Sequence, residues 1–156
     1  MKIRVLPRIF FEKIKGTMTE AELLAKSKII SINSSWGFDD TPPFSSELLN
    51  HPHLLTLTFD DICNEPETPE DLDNAVLFNK DMAESIMKFV DDGKLPLLVH
   101  CTAGISRSGA VGEVLNWYFN RYLEYNAADD EDFTQNNRQI LPNFIVRRIM
   151  MKILEE

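Results

Sequence analysis

Short apolar runs alternate with longer helix-periodic segments along this chain of 156 residues. Brief runs that are apolar, or that alternate apolar with polar residues, are typical of β-strands. The predicted strands cover residues 3–6, 28–32, 54–59 and 95–99. Because Pro7 directly follows the first strand and cannot donate to a strand ladder, we expect that strand at an edge of the sheet.

Segments with apolar residues three and four positions apart lie between and after these strands and predict helices. The predicted helices cover residues 20–25, 69–92 and 108–124. Thr19 is the candidate N-cap of the first helix. Thr68 is the candidate cap of the second helix, with Pro69 at its first position and Gly93 after its end.

The apolar residues of two helices define the faces that we expect to be buried. In the second helix these are Leu72, Val76, Met82, Ala83, Ile86, Phe89 and Val90. A last helix opens at Leu141 and Pro142, and its expected inward residues are Phe144, Ile145, Ile149 and Ile153.

The order of these elements predicts the fold class. Strands that alternate with helices are typical of an α/β fold with a central, mainly parallel sheet flanked by helices. The chain has no internal repeat and no linker-like segment, so we expect one domain over residues 1–156. Residues 127–137 contain four consecutive acids, Asp129 to Asp132, and are predicted to form an exposed polar connection.

Charge and cysteine content narrow the setting in which the protein works. The net charge of −9 and the pI of about 4.8 argue against nucleic acid or an anionic membrane as the main partner. No apolar run approaches the roughly 18 residues of a membrane span, and residues 1–4 do not begin a secretory signal. With two cysteines, we expect a cytoplasmic monomer without disulfides.

The stretch from His100 to Ser108 carries the strongest chemical signal of the chain. Cys101 and Arg107 enclose five small or apolar residues between a predicted strand and a predicted helix. Such a loop directs backbone N–H groups towards a common centre, and the helix dipole adds positive potential there. Gly104 permits a positive φ or a close approach to a ligand. We therefore predict a phosphate site formed by the backbone of Cys101, Thr102, Ala103, Gly104, Ile105, Ser106 and Arg107.

The residue types around this loop suit nucleophilic catalysis. A helix N-terminus and a nearby cation can lower a cysteine pKa from about 8.5 to roughly 3.5–7.5, which would make Cys101 a thiolate. Arg107 can bind two phosphate oxygens through its planar fork of donors. We expect the Ser108 hydroxyl to donate to the Cys101 sulfur, and His100 to orient the loop through hydrogen bonds.

These residues resemble a known signature. HCTAGISRS is similar to the His-Cys-x5-Arg-Ser/Thr motif of the cysteine-dependent protein tyrosine phosphatases, and its Ser-Arg-Ser ending resembles the dual-specificity branch. Residues 55–61 resemble the strand that leads to the general-acid loop of that family. Residues 141–149 resemble the Pro-Asn start of its last helix. The resemblance covers roughly residues 30–156.

The resemblance implies hydrolysis of phosphorylated proteins or peptides through a phosphocysteine on Cys101, without metal or cofactor. Arg107 and the loop amides would hold the phosphoryl oxygens, so a phosphate or sulfate ion should also bind there. Asp61 is the expected general acid, with Asp60 as the alternative; Asp71 and Asp73 fit a helix start better. Because the loop has no lysine, a phosphoinositide substrate is disfavoured.

Other interpretations remain at this point. A catalytically weak phosphoprotein-binding module of the same fold would retain the loop but not turnover. The low-molecular-weight phosphatase or arsenate reductase type would carry its loop near the start of the chain, unlike this one. An RNA 5′-phosphatase fits poorly with the negative charge.

Three weaker signals lie outside the loop. Trp36, Phe38 and Phe44 could line the phosphate site and stack on an aromatic substrate, or simply pack against the sheet edge. Cys63 is interpreted as a plain thiol, with a reversible disulfide to Cys101 as the alternative. His51 and His53 lack the neighbouring ligands of a metal site and indicate a turn.

Overall fold

A parallel β-sheet forms the centre of the computed structural model, which describes residues 1–63 and 75–156. Within this part of the chain the sheet has four strands, and every neighbouring pair is parallel. In spatial order they are β1 (Ile3–Pro7), β4 (Leu97–Cys101), β2 (Lys28–Asn33) and β3 (Leu54–Thr58). The predicted α/β fold with a parallel sheet is confirmed, and β1 lies at an edge as expected.

Helices cover both faces of the sheet, as buried parallel sheets require. The helices are α1 (Arg8–Ile14), α2 (Met18–Lys26), α3 (Lys80–Val90), α4 (Arg107–Asn116), α5 (Ala127–Asn136) and α6 (Phe144–Leu154). On one face Phe11 of α1 and Leu24 of α2 pack in a cluster with Ile29 and Leu54. On the other face α3, α4 and α6 contribute to the larger core. The sheet is therefore covered by apolar packing on both faces.

Helix α3 begins later than the sequence predicted. It starts at Lys80, where the Asn79 side chain caps it by accepting a hydrogen bond from the Met82 amide at 2.9 Å. The backbone of Val76 is instead paired with Asp60: its amide donates to Asp60 Oδ2 and its carbonyl accepts from the Asp60 amide, both at 2.8 Å. The predicted segment 69–74, with the Thr68 cap and Leu72, lies outside the described residues.

Residues 127–137 were predicted as an exposed polar connection. Most of them are exposed, but the prediction of a connection is wrong, because Ala127–Asn136 form helix α5. The Asn126 side chain caps this helix by accepting a hydrogen bond from the Asp129 amide at 3.1 Å. The carboxylates of Asp129 and Asp130, in the first turn, interact favourably with the positive end of the helix dipole. Phe133 is only 5% exposed and anchors the helix in the core. The Asn126 cap and the buried Phe133 ring thus stabilise a helix whose sequence is very polar.

Asn137 fastens the end of α5 to the sheet edge. Its Oδ1 accepts from the Val5 amide at 2.8 Å, and its Nδ2 donates to the Ile3 carbonyl at 3.2 Å. These bonds cover the free edge of β1, which would otherwise expose unpaired backbone groups.

Other boundaries also differ from the sequence analysis. Helix α1 was not predicted, and α2 starts after Thr17 rather than after Thr19. Strand β4 extends to Cys101, and α4 continues into a π-helical turn at Trp117–Tyr122. The last helix begins at Phe144, which is exposed, not buried as predicted.

The buried face of α6 is also shifted. Ile145, Val146 and Met150 are its buried residues, whereas Ile149 and Ile153 are only partly buried. In the described part of the chain, no helix has the length and apolar content needed to cross a bilayer.

Gly112 allows α4 to lie directly on β1, and we predict that alanine there destabilises the protein. An added Cβ would lie 2.7 Å from Cγ2 of the buried Val5 side chain. Overpacking costs about 1–3 kcal/mol, and the better helix propensity of alanine offsets about 1 kcal/mol. We expect Gly112→Ala to lower the free energy of unfolding in urea by about 1 kcal/mol.

The paired variant Val5→Ala supplies the control. Because the shorter side chain removes the clash, Gly112→Ala should cost less in the Val5→Ala background than in the wild type. An unfolding free energy that rises on Gly112→Ala alone would contradict the close packing.

Candidate active site

The predicted phosphate loop lies at the carboxyl edge of the sheet. Cys101 ends β4, Arg107 begins α4, and residues 102–106 connect them. The loop is flanked by the ends of β1 and β2, and Arg107 reaches the Phe59 carbonyl just after β3. Ligands of open parallel sheets bind at this edge, where the strands end and the helices begin.

The carbonyl groups of this loop are directed outwards, because the surrounding structure supplies their donors. The Arg8 amide, directly after β1, and three donors in the segment before α6 hold four of these carbonyls in place. The bonds are Arg8 N to Thr102 O (3.1 Å), Gln139 Nε2 to Gly104 O (3.3 Å), Leu141 N to Ile105 O (2.9 Å) and Asn143 N to Ser106 O (3.0 Å).

The outward carbonyls determine the direction of the amides. In a trans peptide the N–H points opposite to the C=O of the same plane. The amides that follow these four carbonyls therefore face the inside of the loop. One of them, that of Ile105, hydrogen-bonds to the Cys101 sulfur. This arrangement of inward amides is suited to binding an anion.

Gly104 is required by the closeness of the loop to β1. Its φ is +70°, and an added Cβ would lie 2.6 Å from backbone atoms of Leu6 and Pro7. Neither backbone atom belongs to a flexible side chain that could move aside. The glycine predicted from the sequence therefore has a steric reason as well as a conformational one.

The Cys101 thiol is buried but polarised. Burial raises its pKa, but hydrogen bonds from the Ser108 hydroxyl and from the backbone of Ser108 and Ile105, together with the Arg107 charge, outweigh it. The net effect lowers the pKa below its ordinary value. Cys101 Sγ lies 3.0 Å from Ser108 Oγ. This environment favours the thiolate.

The two Nη atoms of Arg107 are held by hydrogen bonds, whereas its Nε is not held by any group in the described part of the chain. Its Nη1 donates to Ser34 Oγ at 3.1 Å and to the Phe59 carbonyl at 2.9 Å, and its Nη2 donates to Thr102 Oγ1 at 2.9 Å. Its buried Nε has no acceptor among the described residues. A buried cationic donor without a partner is costly, so this nitrogen is suited to an anion in the loop.

His100 lies in the protein interior, next to the first residue of the loop. It is fully buried, its Nδ1 lies 3.1 Å from the Cys101 carbonyl, and its Nε2 lies 2.7 Å from Ser31 Oγ. Burial lowers its pKa to about 4, so the ring is neutral at physiological pH. A bond to a carbonyl requires the proton on Nδ1, so Nε2 accepts from Ser31. His100 can therefore orient Cys101 but cannot serve as an imidazolium acid.

The two candidate acids face different surroundings. Asp60 accepts hydrogen bonds from the Ser35 amide (2.9 Å), the Ser35 hydroxyl (2.7 Å) and the Val76 amide (2.8 Å). Although burial raises the Asp60 pKa, these bonds and the Arg107 charge lower it overall. Asp60 is therefore held as an anion with its oxygens occupied.

Asp61 is exposed and lies beside the loop. Its Oδ1 accepts from Ser106 Oγ and from Asn143 Nδ2, both at 2.8 Å. The Asn143 Nδ2 also donates to the Ile62 carbonyl at 3.1 Å. Sequence reasoning placed Asn143 only in a Pro-Asn segment, without a contact to the acid.

A charged network behind the loop was also missed. Thr102 Oγ1, which accepts from Arg107, donates to Asp39 Oδ2 at 2.7 Å, and Asp39 Oδ1 lies 3.4 Å from Arg8 Nε. Arg8 is buried and also donates to Asn33 Oδ1 at 3.1 Å and to the Thr41 carbonyl. The network fastens the turn at residues 37–40 to the rim of the loop. The one available signal was a charged residue, Arg8, two positions after the predicted first strand.

The weaker candidates separate in the structure. Trp36 is exposed, whereas Phe44 is buried with its ring 5.2 Å from Phe11 and 6.1 Å from His100. Phe44 therefore packs on the sheet, as one of the two interpretations expected. The Phe38 side chain lies outside the described part.

Cys63 is an exposed free thiol, and Cys101 is free as well. The ring of His53 contacts the Leu24 carbonyl, and His51 Nδ1 accepts from the His53 amide. Across residues 1–63 and 75–156, no three His, Cys, Asp or Glu side chains are grouped to hold a metal ion. Asp71 and Asp73 lie outside these ranges.

The similarity of this chain to known proteins lies in its fold and in short sequence motifs. No family model and no curated protein matches the chain. Among solved structures, human tyrosine phosphatase-like serine/threonine/tyrosine-interacting protein has a TM-score of 0.52 at 21% identity, with 88% of this chain and 84% of that chain covered.

Two further structures give the same result. Human DUSP28 has a TM-score of 0.52 at 16% identity, covering 98% of this chain and 91% of its own. Tk-PTP in its active form has a TM-score of 0.52 at 13% identity, covering 100% and 93%. The chain therefore has the fold of the dual-specificity type of cysteine phosphatase.

The lowered pKa of Cys101 predicts how its alkylation depends on pH. In a Cys63→Ser background, the rate of Cys101 modification by iodoacetamide should reach half its maximum at a lower pH than that of an ordinary thiol, whose pKa is about 8.5. Ser108→Ala removes the strongest of the bonds that lower the pKa, so the midpoint of the rate should move to higher pH. Intact-mass spectrometry of timed samples measures both midpoints. Equal midpoints in the two variants would show that Ser108 does not stabilise the thiolate.

Proposed function

We propose that this protein is a cytoplasmic phosphatase that removes phosphoryl groups from phosphotyrosine in proteins or peptides, and also from phosphoserine and phosphothreonine. One observation carries the proposal: a buried cysteine with a lowered pKa begins a loop of inward amides that ends in Arg107, whose Nε has no protein acceptor. The fold, shared with dual-specificity phosphatases, agrees with it. A reducing compartment keeps Cys101 free for this chemistry.

In the first step, the Cys101 thiolate attacks phosphorus, an S–P bond forms, and the bond to the ester oxygen breaks. The loop amides and Arg107 hold the three remaining oxygens as charge develops. The departing phenolate takes a proton from Asp61, which lies beside the loop at Ser106. The product is a phosphocysteine.

In the second step, water attacks this phosphocysteine while Asp61, now ionised, accepts the proton of the water. The S–P bond breaks and Cys101 leaves as a thiolate. Ser108 Oγ, 3.0 Å from the sulfur, stabilises the negative charge that returns there. Phosphate is released, and Asp61 is again protonated for the next cycle.

The choice of Asp61 rests on the state of its neighbour. A general acid must carry a proton at the start of the cycle, and the three hydrogen bonds to Asp60 favour its anion. Among the described residues, Asp61 accepts only from side-chain groups at the rim of the loop. Asp60 instead holds residue 35 and residue 76 in place.

The leaving group provides the sharpest test of this assignment. p-Nitrophenolate leaves without much protonation, whereas unsubstituted phenolate needs an acid. We expect Asp61→Asn to lower kcat/KM on phenyl phosphate by about 10²–10³-fold, and less on p-nitrophenyl phosphate, because kcat/KM does not include the hydrolysis of the phosphocysteine that both esters share. Steady-state assays on both esters measure this ratio.

Two control variants complete the experiment. Asp60→Asn should lower both rates by the same factor, since its role is structural, and Cys101→Ser should abolish both. If Asp60→Asn instead lowers the rate on phenyl phosphate more than the rate on p-nitrophenyl phosphate, the general acid is Asp60 and not Asp61. A wild-type protein that binds phosphotyrosine peptide but turns over neither ester would establish the binding-only module instead.

A further inference from the structure

Two adjacent cavities lie along α6, away from the phosphate loop. Each has a volume of about 500 Å³, and they share Arg147 and Met151 in their linings. We call the two together the basic groove. Neither lining includes a residue of the loop between Cys101 and Arg107.

The groove is positively charged on a protein of net charge −9. Its cationic lining residues are Arg121, Arg138, Arg147, Arg148 and Lys152, and its acidic ones are Glu113 and Glu155. Cations concentrated at a concave surface attract anionic ligands, and they do so more selectively when the rest of the surface is acidic.

Some of this charge is already neutralised. Arg121 Nε lies 2.9 Å from Asp130, and Arg147 Nε lies 3.4 Å from Glu113. Arg138 and Lys152 have no ion-pair partner among the described residues, and both are exposed. One stands in each cavity, so both halves of the groove offer a cation to an acidic ligand.

The floor of the groove is apolar. Val114 and Phe133 are buried beneath the first cavity, and Trp117, Ile140 and Met151 are partly buried around it. A cavity of this volume with an apolar floor and a charged rim suits an apolar side chain flanked by acids. A nucleic-acid backbone or a lipid headgroup could bind through the cationic residues alone, and neither would contact the apolar floor.

We propose that the basic groove binds an acidic peptide segment with an apolar side chain, carried by the phosphoprotein substrate apart from its phosphorylated residue. The proposal rests on the phosphatase function proposed above. Arg138 and Lys152 bind the acidic side chains, and the cavity between Trp117 and Phe133 receives the apolar one.

The groove is adjacent to the active site through one short segment. Ile140 lines the first cavity, and Phe144 lines the second. Between them, Leu141 and Asn143 donate to loop carbonyls, and Asn143 binds Asp61. Three residue steps separate Ile140 from Asn143, at most about 11 Å, so a single peptide can reach both sites.

The first experiment measures binding at the groove itself. Trp36→Phe leaves Trp117 as the remaining tryptophan, so its fluorescence reports on the cavity that it lines. The probe is an unphosphorylated peptide of about twelve residues, rich in glutamate around a central phenylalanine. We expect saturable quenching that Arg138→Glu/Lys152→Glu weakens at least about tenfold, since two attractions become repulsions.

The controls test charge, position and ligand class. Lys15→Glu/Lys26→Glu makes the same charge change on exposed residues of the opposite face and should leave the binding unchanged. The same peptide with lysine for glutamate, or serine for phenylalanine, should bind at least about tenfold more weakly. Tighter binding of anionic phospholipid vesicles or single-stranded RNA than of the acidic peptide would overturn the proposal.

The second experiment separates the groove from the chemistry. A phosphotyrosine peptide with the same acidic extension is compared with p-nitrophenyl phosphate, which is too small to reach the groove. In Arg138→Glu/Lys152→Glu, kcat/KM for the peptide should fall about tenfold more than for the small ester. Equal losses on the two substrates would overturn the groove proposal. A wild type without turnover would overturn the proposed function alone, because Trp117 quenching tests the groove without it.

Discussion

The hydrogen bonds that hold the loop carbonyls outwards are the constraint on which the site depends. A peptide that turned over would aim a carbonyl, not an amide, at the bound anion, and would replace attraction with repulsion. The donors come from distant parts of the chain: Arg8 follows β1, while Gln139, Leu141 and Asn143 precede α6. The start of α1 and the segment before α6 therefore shape the loop, although neither contains Cys101.

Burial and hydrogen bonding act against each other at each key group. Burial raises the pKa of Cys101 and of Asp60, and in both cases donors from neighbouring residues outweigh it. For His100 burial dominates, which keeps the ring neutral and its Nδ1 proton directed at the Cys101 carbonyl. The same low-polarity interior thus holds one group charged and another uncharged, according to the donors each one meets.

Local patterns predicted much of this fold, and long-range contacts account for most of what they missed. The strands and the loop from Cys101 to Ser108 were readable because their signals lie within a few residues. Helix α5 was not, since it depends on burying Phe133 against distant elements and on Asn137 binding β1. The late start of α3 reflects the pairing of Val76 with Asp60, which no periodicity reveals. The contact between Arg8 and Asp39 was not predicted either, because 31 positions separate the two residues along the chain.

Asn143 occupies a position where helix stability and site geometry impose different demands. As the N-cap of α6 it needs only an oxygen to accept from the Val146 amide, which serine, threonine or aspartate would also supply. Its Nδ2, however, donates two hydrogen bonds, to Asp61 and to the Ile62 carbonyl. Serine and threonine carry a single O–H donor on a shorter side chain, and an aspartate carboxylate carries none. An aspartate here would face another carboxylate. Substitutions that preserve thermal stability at this position would thus release Asp61 from its place beside the loop, so tolerance of folding is a poor guide to the geometry of the site.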